Sequence, residues 1–203
     1  TNYECYKGLW SALNSNNLFE IVHSLKRQFG PEPWTLYKGK LLYSFADNHD
    51  VTRAASILAD KNQLPVMYGM LFGMPGIPSV YYGSEWGLEG HKSGGDWGLR
   101  PELERPEWNG LTDYIRSLAL ARRSSRALGL GDFQDVVIQS RQTVFKRSRD
   151  GETVLVSINA APEPCRVSFG WKSETTDLIT GENVTVNGGV DLRGYEVKYL
   201  KVK

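Results

Sequence analysis

Leu41-Leu42-Tyr43-Ser44-Phe45-Ala46-Asp47-Asn48-His49-Asp50 passes from almost continuously apolar to wholly polar within a few residues. A short apolar run such as Leu41 to Phe45 predicts a strand covered on both faces of a parallel sheet. The polar half follows where that strand ends, and α/β folds keep their chemistry at the C-terminal ends of their strands. Asp, Asn and His are also ordinary turn formers, because their side chains bond nearby backbone groups. On residue types alone, turn and site stand at even odds.

Downstream, Gln63 to Ser84 contains no charged residue. Its prolines and glycines, among them Pro65, Gly73, Pro75, Gly76 and Pro78, divide it into a helix over Leu64 to Gly73 and a buried strand over Ile77 to Tyr82. Neither piece is long enough to cross about 30 Å of hydrocarbon. A helix apolar all round predicts cover on most sides. Gly83 to Arg105 then reads as a long glycine-rich, charged loop holding Trp86, His91, Asp96, Trp97 and Arg100, and loops of that length usually bind something. After Asn109-Gly110 comes an amphipathic helix. Leu111, Tyr114, Ile115, Leu118, Ala119 and Ala121 carry its apolar face, and Arg116, Arg122 and Arg123 its wet side.

Upstream, Thr1 to Leu13 has no clear period, and Asn2-Tyr3 suits the tail of a strand. From Asn17, a capping-box pattern with Glu20 opens a helix whose apolar face is Leu18, Ile21, Val22, Leu25 and Phe29, ended by Gly30-Pro31. Thr52 is placed to cap a short helix running to about Asp60. Arg53 suits either a pair with Asp50 or open solvent.

Beyond Gly129 to Gly131 the texture changes to short strands and tight turns, with Asp150-Gly151 and Asn187-Gly188 as hairpin signals. The chain thus divides at residues 1–127, read as α/β, and 128–203, read as an antiparallel β domain. Two or three parallel strands with their helices cannot close a barrel. The first part reads as a portion of something larger.

The 24 basic and 23 acidic residues leave a net charge of +1, which gives no electrostatic footprint for nucleic acid or an anionic membrane. Neither is expected as a partner. Cys5 and Cys165 lack the spacing of a metal knuckle or disulfide framework and read as free buried thiols. No calcium or zinc pattern is present, so no cofactor is expected. Thr1 reads as a cut start rather than a native one. With no sign of secretion, a cytoplasmic location is expected.

Phe45-Ala46-Asp47-Asn48-His49-Asp50 resembles the Phe-x-x-Asn-His-Asp block of the α-amylase family of glycoside hydrolases. Gly76-Ile77-Pro78-Ser79-Val80-Tyr81-Tyr82-Gly83-Ser84-Glu85, about 26 residues on, resembles the family's later Gly-x-Pro-x-x-Tyr-Tyr-Gly-x-Glu block. Tyr6-Lys7-Gly8 and Trp10-Ser11-Ala12-Leu13-Asn14-Ser15 are similar to neopullulanase, cyclomaltodextrinase and maltodextrin glucosidase types. The resemblance implies the C-terminal part of a (β/α)8 TIM barrel, its strands seven and eight ending in the two blocks, followed by a small antiparallel β-sandwich domain.

It also implies roles. Asp50 takes the position of the catalytic carboxylate that stabilises the transition state. His49 takes that of the imidazole bonded to the sugar being cleaved. Asp96 and Arg100 resemble an Asp-x-x-x-Arg element lining outer sugar subsites, and Asn48 stands beside them as a substrate-binding residue or as support for the turn. Retaining hydrolysis needs a nucleophile and an acid/base about 5 Å apart, and the family draws those from earlier strands. Asp47 and Glu85, the nearest spare carboxylates, match neither motif.

The expected function is therefore that of a fragment of a retaining α-glucan hydrolase, inactive alone. Its partners would be an α-glucan oligosaccharide and the missing N-terminal half of the parent enzyme. Self-association is expected because the truncation would leave the apolar helix at Leu64 to Gly73 uncovered. The competing expectation is a non-catalytic glycan-binding or regulatory module with the same fold.

Overall fold

The computed structural model describes residues 1–203. The chain opens on a helix: Asn2 accepts the Cys5 N–H through its side chain and starts α1, Tyr3–Asn14. The strand tail expected there is absent, although the Asn2 N–H does reach the carbonyl of Tyr43 at 2.8 Å. In α2, Phe19–Phe29, all five expected apolar residues are buried. The expected capping box does not form. Leu18 occupies the cap position without a side-chain bond, and Glu20 instead accepts from Lys7 and Ser11, which ties α2 to α1.

Two short parallel strands follow, β1, Tyr43–Phe45, and β2, Ile77–Ser79, paired from Tyr43–Ile77 to Phe45–Ser79. Cover on both faces was expected, yet Tyr43 is 46% and Ile77 50% exposed. Ser44 and Phe45, which point to opposite faces, are both buried, as is Ala46, so the strand is covered on both faces at its C-terminal end and open at its start. Between the strands lie α3, Ala54–Ile57, and α4, Leu64–Gly73. The first N–H of α3 is capped by Asp47 at 2.7 Å rather than by Thr52.

Helix α4 occupies the expected residues and is buried at every position but Pro65. Its cover comes from within the chain. Gly69 faces Val197 and Gly73 faces Val156 and Tyr199, all on the antiparallel sheet. The uncovered helix expected to drive self-association is therefore not there.

Helix α5, Gly110–Ser124, starts at a capping box made by Asn109 and Thr112. Ile115, Leu118 and Ala121 face the core as expected, whereas Ala119 is exposed. Arg122, expected on the wet side, turns inward and donates to the carbonyls of Phe72, Met74, Gly76 and Gly129. It clamps the end of α4 to the start of β2. Burial pushes its guanidinium down to about 10.

Helix α6, Arg126–Leu130, leads into β3 (Asp132–Ile138), β4 (Gln142–Arg149), β5 (Glu152–Asn159), β6 (Cys165–Asp177), β7 (Asn183–Leu192) and β8 (Val197–Val202). These form one antiparallel sheet in the order β3-β4-β5-β8-β6-β7. Asp150 and Gly151, both at positive φ, make the expected hairpin between β4 and β5. Asn187-Gly188 does not make a second one. It lies inside β7 beside the register shift between Ser168 and Lys172, with Gly188 at φ 72°.

The expected β-sandwich is thus a single sheet that folds across itself. Val144, Leu155 and Leu200 on its central strands enclose a small second core with Val167, Val186, Val190 and Leu192 of β6 and β7. The main core of 34 buried residues runs continuously from α1 through α4 to Phe145, Val156 and Tyr199. No helix is long and apolar enough to cross a membrane.

Candidate active site

The site is built where β1 and β2 end. Past Phe45, Asp47 turns into the interior. Its carboxylate accepts from Ser84 Oγ at 2.7 and 2.9 Å and from the Ala54 N–H. Burial pushes this carboxyl up, while the bonds from Ala54 and Ser84 pull it back. Asp47 is a strut tying the end of β1 to the segment after β2, not a spare catalytic carboxylate. Glu85 is no better placed, since its Oε2 is buried without a hydrogen-bond partner.

Arg53, which suited either a pair with Asp50 or open solvent, does neither. It is fully buried, donates to Ser84 Oγ and to the Tyr82 carbonyl, and lies 4.5 Å from the centre of the Tyr81 ring. It fixes Tyr81, whose ring centre lies 6.2 Å from that of His49.

Asn48 is buried. Its side-chain oxygen accepts the Asp50 N–H at 2.8 Å, and its amide donates to the Tyr3 hydroxyl at 3.3 Å. The local bond holds the turn that turns His49 and Asp50 outward. Asp50 has its side chain 48% exposed, with Oδ2 at 3.1 Å from His49 Nε2 and Oδ1 at 3.2 Å from Arg100 Nη2.

Arg100 also reaches Asp96 Oδ2 at 3.4 Å and the His49 carbonyl at 3.2 Å. Asp96 accepts from Lys92 at 2.9 Å, and the cations Lys92 and Arg100 hold its carboxyl below the usual range. His49, Asp50, Asp96 and Arg100 therefore form one cluster, with Asn48 behind it. The long loop is seated on the turn after β1, through Lys92 N–H to Thr52 Oγ1 and Arg53 N–H to the Gly90 carbonyl.

Sequence reasoning missed Lys92 as part of this cluster. The signal was there in its spacing of four residues from Asp96. Trp97, beside Asp96, is 88% exposed. No group of His, Cys, Asp and Glu is placed to hold a metal ion.

Asp50 thus accepts from Arg100 on one oxygen and has the His49 ring 3.1 Å from the other, at an open rim beside a tyrosine ring. Such a carboxylate is a fixed anion, oriented from two directions, suited to electrostatic stabilisation of a positive centre.

A family model described as "Alpha amylase, catalytic domain" matches residues 12–178. The chain belongs to the α-amylase catalytic domain family. Among curated relatives, the α-amylase MalA of Haloarcula japonica is 27% identical over 145 residues, covering 68% of this chain and 21% of that protein. A cyclomaltodextrinase of a Bacillus species is 29% identical over 126 residues, covering 59% of this chain and 22% of that one. The chain spans about a fifth of the length of these family members. The solved α-amylase of Geobacillus thermoleovorans, complexed with acarbose, superposes with a TM-score of 0.86 at 22% identity, over 100% of this chain and 47% of that one. At that identity the likeness speaks for the fold alone, a TIM-barrel-type domain with an antiparallel sheet.

Proposed function

We propose that the chain is the C-terminal part of a retaining α-glucan hydrolase, with residues 1–127 completing a (β/α)8 barrel as its strands seven and eight and 128–203 forming the accessory β domain. Asp50 is the carboxylate that stabilises the transition state, and His49 binds the sugar undergoing cleavage. Asp96 and Arg100 line outer subsites, and Asn48 holds the turn beneath them. The observation that carries this reading is the Asp50 carboxylate, held by His49 and Arg100 at the rim where β1 ends.

In glycoside hydrolysis the anomeric carbon becomes oxocarbenium-like. An anion already fixed opposite that carbon stabilises the transition state more than the neutral ground state, without reorganising as charge develops. The nucleophile and acid/base belong to the absent part of the parent protein, so this chain alone turns nothing over. α-Glucans, starch-derived or cyclic, are the proposed substrates.

A second reading, a glycan-binding module without chemistry, draws on the exposed indole of Trp97 beside Asp96. Two measurements separate the readings. The isolated chain incubated with maltodextrin or p-nitrophenyl maltosides should release no product, and measurable turnover would mean the nucleophile has been misplaced. The reading frame upstream of Thr1 should encode an Arg-x-Asp strand and a later catalytic Glu; without them, the binding module stands.

A further inference from the structure

At the opposite end of β1 and β2 from the candidate active site lies a cleft of about 250 Å³, bordered by Lys38, Lys40, Pro75, Asp132, Arg147 and Arg149. Four of these are cations and one is an acid. The cations come from separate segments, the loop before β1 and strand β4, so the fold and not a local charge run brings them together.

Arg147 is the telling member. It is only 1% exposed, yet no carboxylate contacts it. Its three nitrogens donate to the carbonyls of Asp132, Gly73 and Gly131 at 3.3, 2.7 and 2.9 Å. Carbonyls satisfy the hydrogen bonds but form no ion pair, so only the charge of Asp132, not in direct contact, offsets that of Arg147, and burying such a charge is costly. A second cation, Arg122, adds to that cost. Arg122 also donates only to carbonyls, and burial, with the charge of Arg122 added, pushes Arg147 down to about 9.

The surrounding charges are largely uncommitted. Lys40 has no hydrogen-bond or ion-pair partner, and Lys38 donates to the Pro31 carbonyl alone. Arg149 makes one distant contact, 3.4 Å to Asp150. The carboxylate of Asp132 makes no direct ion pair, although its charge favours that of Arg147. Four cations against the single carboxylate of Asp132 leave an excess of positive charge on a concave wall, and such an excess focuses the field that draws an anion.

The geometry points to a binding site for a small tetrahedral oxyanion, phosphate or the phosphate group of a phosphorylated sugar, held by Lys40, Arg149 and Lys38 over the buried charge of Arg147. The volume admits such a group together with water, since liquid water takes about 30 Å³ per molecule. Arginine and lysine suit phosphate for different reasons, the first through its planar fork and the second as a point charge. This site is independent of the glucan reading, which concerns the other end of the strands.

The test is isothermal titration of the whole chain with potassium phosphate, against potassium chloride at equal ionic strength, with parallel arms of glucose 6-phosphate and glucose. Saturable binding of phosphate is expected, at least tenfold weaker in Lys40→Ala and in Arg149→Ala and unchanged in the distant Lys172→Ala. Both diagnostic side chains are exposed, so the variants should fold, which circular dichroism checks. Tighter binding of glucose 6-phosphate than of phosphate, with none of glucose, would identify the phosphorylated sugar as the ligand; equal or weaker binding identifies free phosphate. Phosphate behaving as chloride does, or Lys40→Ala and Arg149→Ala titrating as the wild type, overturns the site.

Discussion

The Arg100 guanidinium lies 3.2 Å from Asp50 Oδ1, although fifty positions separate the two residues in the chain. That contact makes a residue of the long loop part of the strand-end cluster. Because both partners are about half exposed, the pair adds little to folding stability. Its value lies in orientation. In the proposed longer hydrolase, Asp50→Asn should lower kcat by about 10²–10³, the scale of losing one preorganised electrostatic contact, and Arg100→Ala should lower it less. Denaturation midpoints of both variants should stay near the wild type. A stability loss matching the activity loss would assign Asp50 to the scaffold instead.

Asp47 gives the opposite pattern. Asp47→Ala strands the Ala54 N–H and Ser84 hydroxyl inside the protein and should destabilise by about 3 kcal/mol. Burial raises its carboxyl above the unfolded-state value, so the folded chain binds this proton more tightly. Its contribution is then fully present below the unfolded-state pKa and is lost as pH rises through the raised one. Asp47→Asn removes that slope. Urea denaturation from the ordinary Asp range upward should show the wild type losing stability relative to the variant; parallel curves would show that Asp47 titrates as it does unfolded.

Much of this fold was legible because it rests on local patterns. Leu18, Ile21, Val22, Leu25 and Phe29 marked α2, the Leu64 to Gly73 run marked α4 to the residue, and Asp150-Gly151 marked its hairpin. The failures share a cause, since each depended on a partner far away in the chain. Arg122 read as wet because nothing near it shows that four carbonyls await it inside. Arg53 read as undecided because its partners, Tyr81, Tyr82 and Ser84, lie about thirty residues on. Asn187-Gly188 carried hairpin chemistry but serves a bulge, where the same positive φ is needed. In the site, residue types and motif named Asp50 and His49, whereas their linkage to Asp96 and Arg100 needed the folded loop.

The two thiols should differ in chemistry. Cys5 is buried against Asn2 and Gln28, and burial pushes its thiol up to about 12. Cys165 is only partly covered, with a smaller rise from burial and from Asp191. At pH 8 a disulfide-exchange reagent should label one thiol per native chain, Cys165, and reach Cys5 only on the timescale of unfolding. Two fast equivalents would show that the α1–α2 interface opens locally.

Glycine-to-alanine substitutions in two helices should change stability in opposite directions. A Cβ at Gly73 would stand 2.8 Å from Val156 Cγ1 and 3.2 Å from Tyr199 Cε1, so α4 sits on the sheet at a distance only glycine permits. Alanine gains about 1 kcal/mol of helix propensity there but forces apart packed side chains, at a cost of about 1–3 kcal/mol. Gly73→Ala should therefore be destabilising on balance. At Gly129 in α6 a Cβ meets nothing within 4 Å, so only the propensity gain remains. Gly129→Ala should raise the denaturation midpoint. If both variants moved the midpoint the same way, close contact between α4 and the sheet would not be what holds the helix in place.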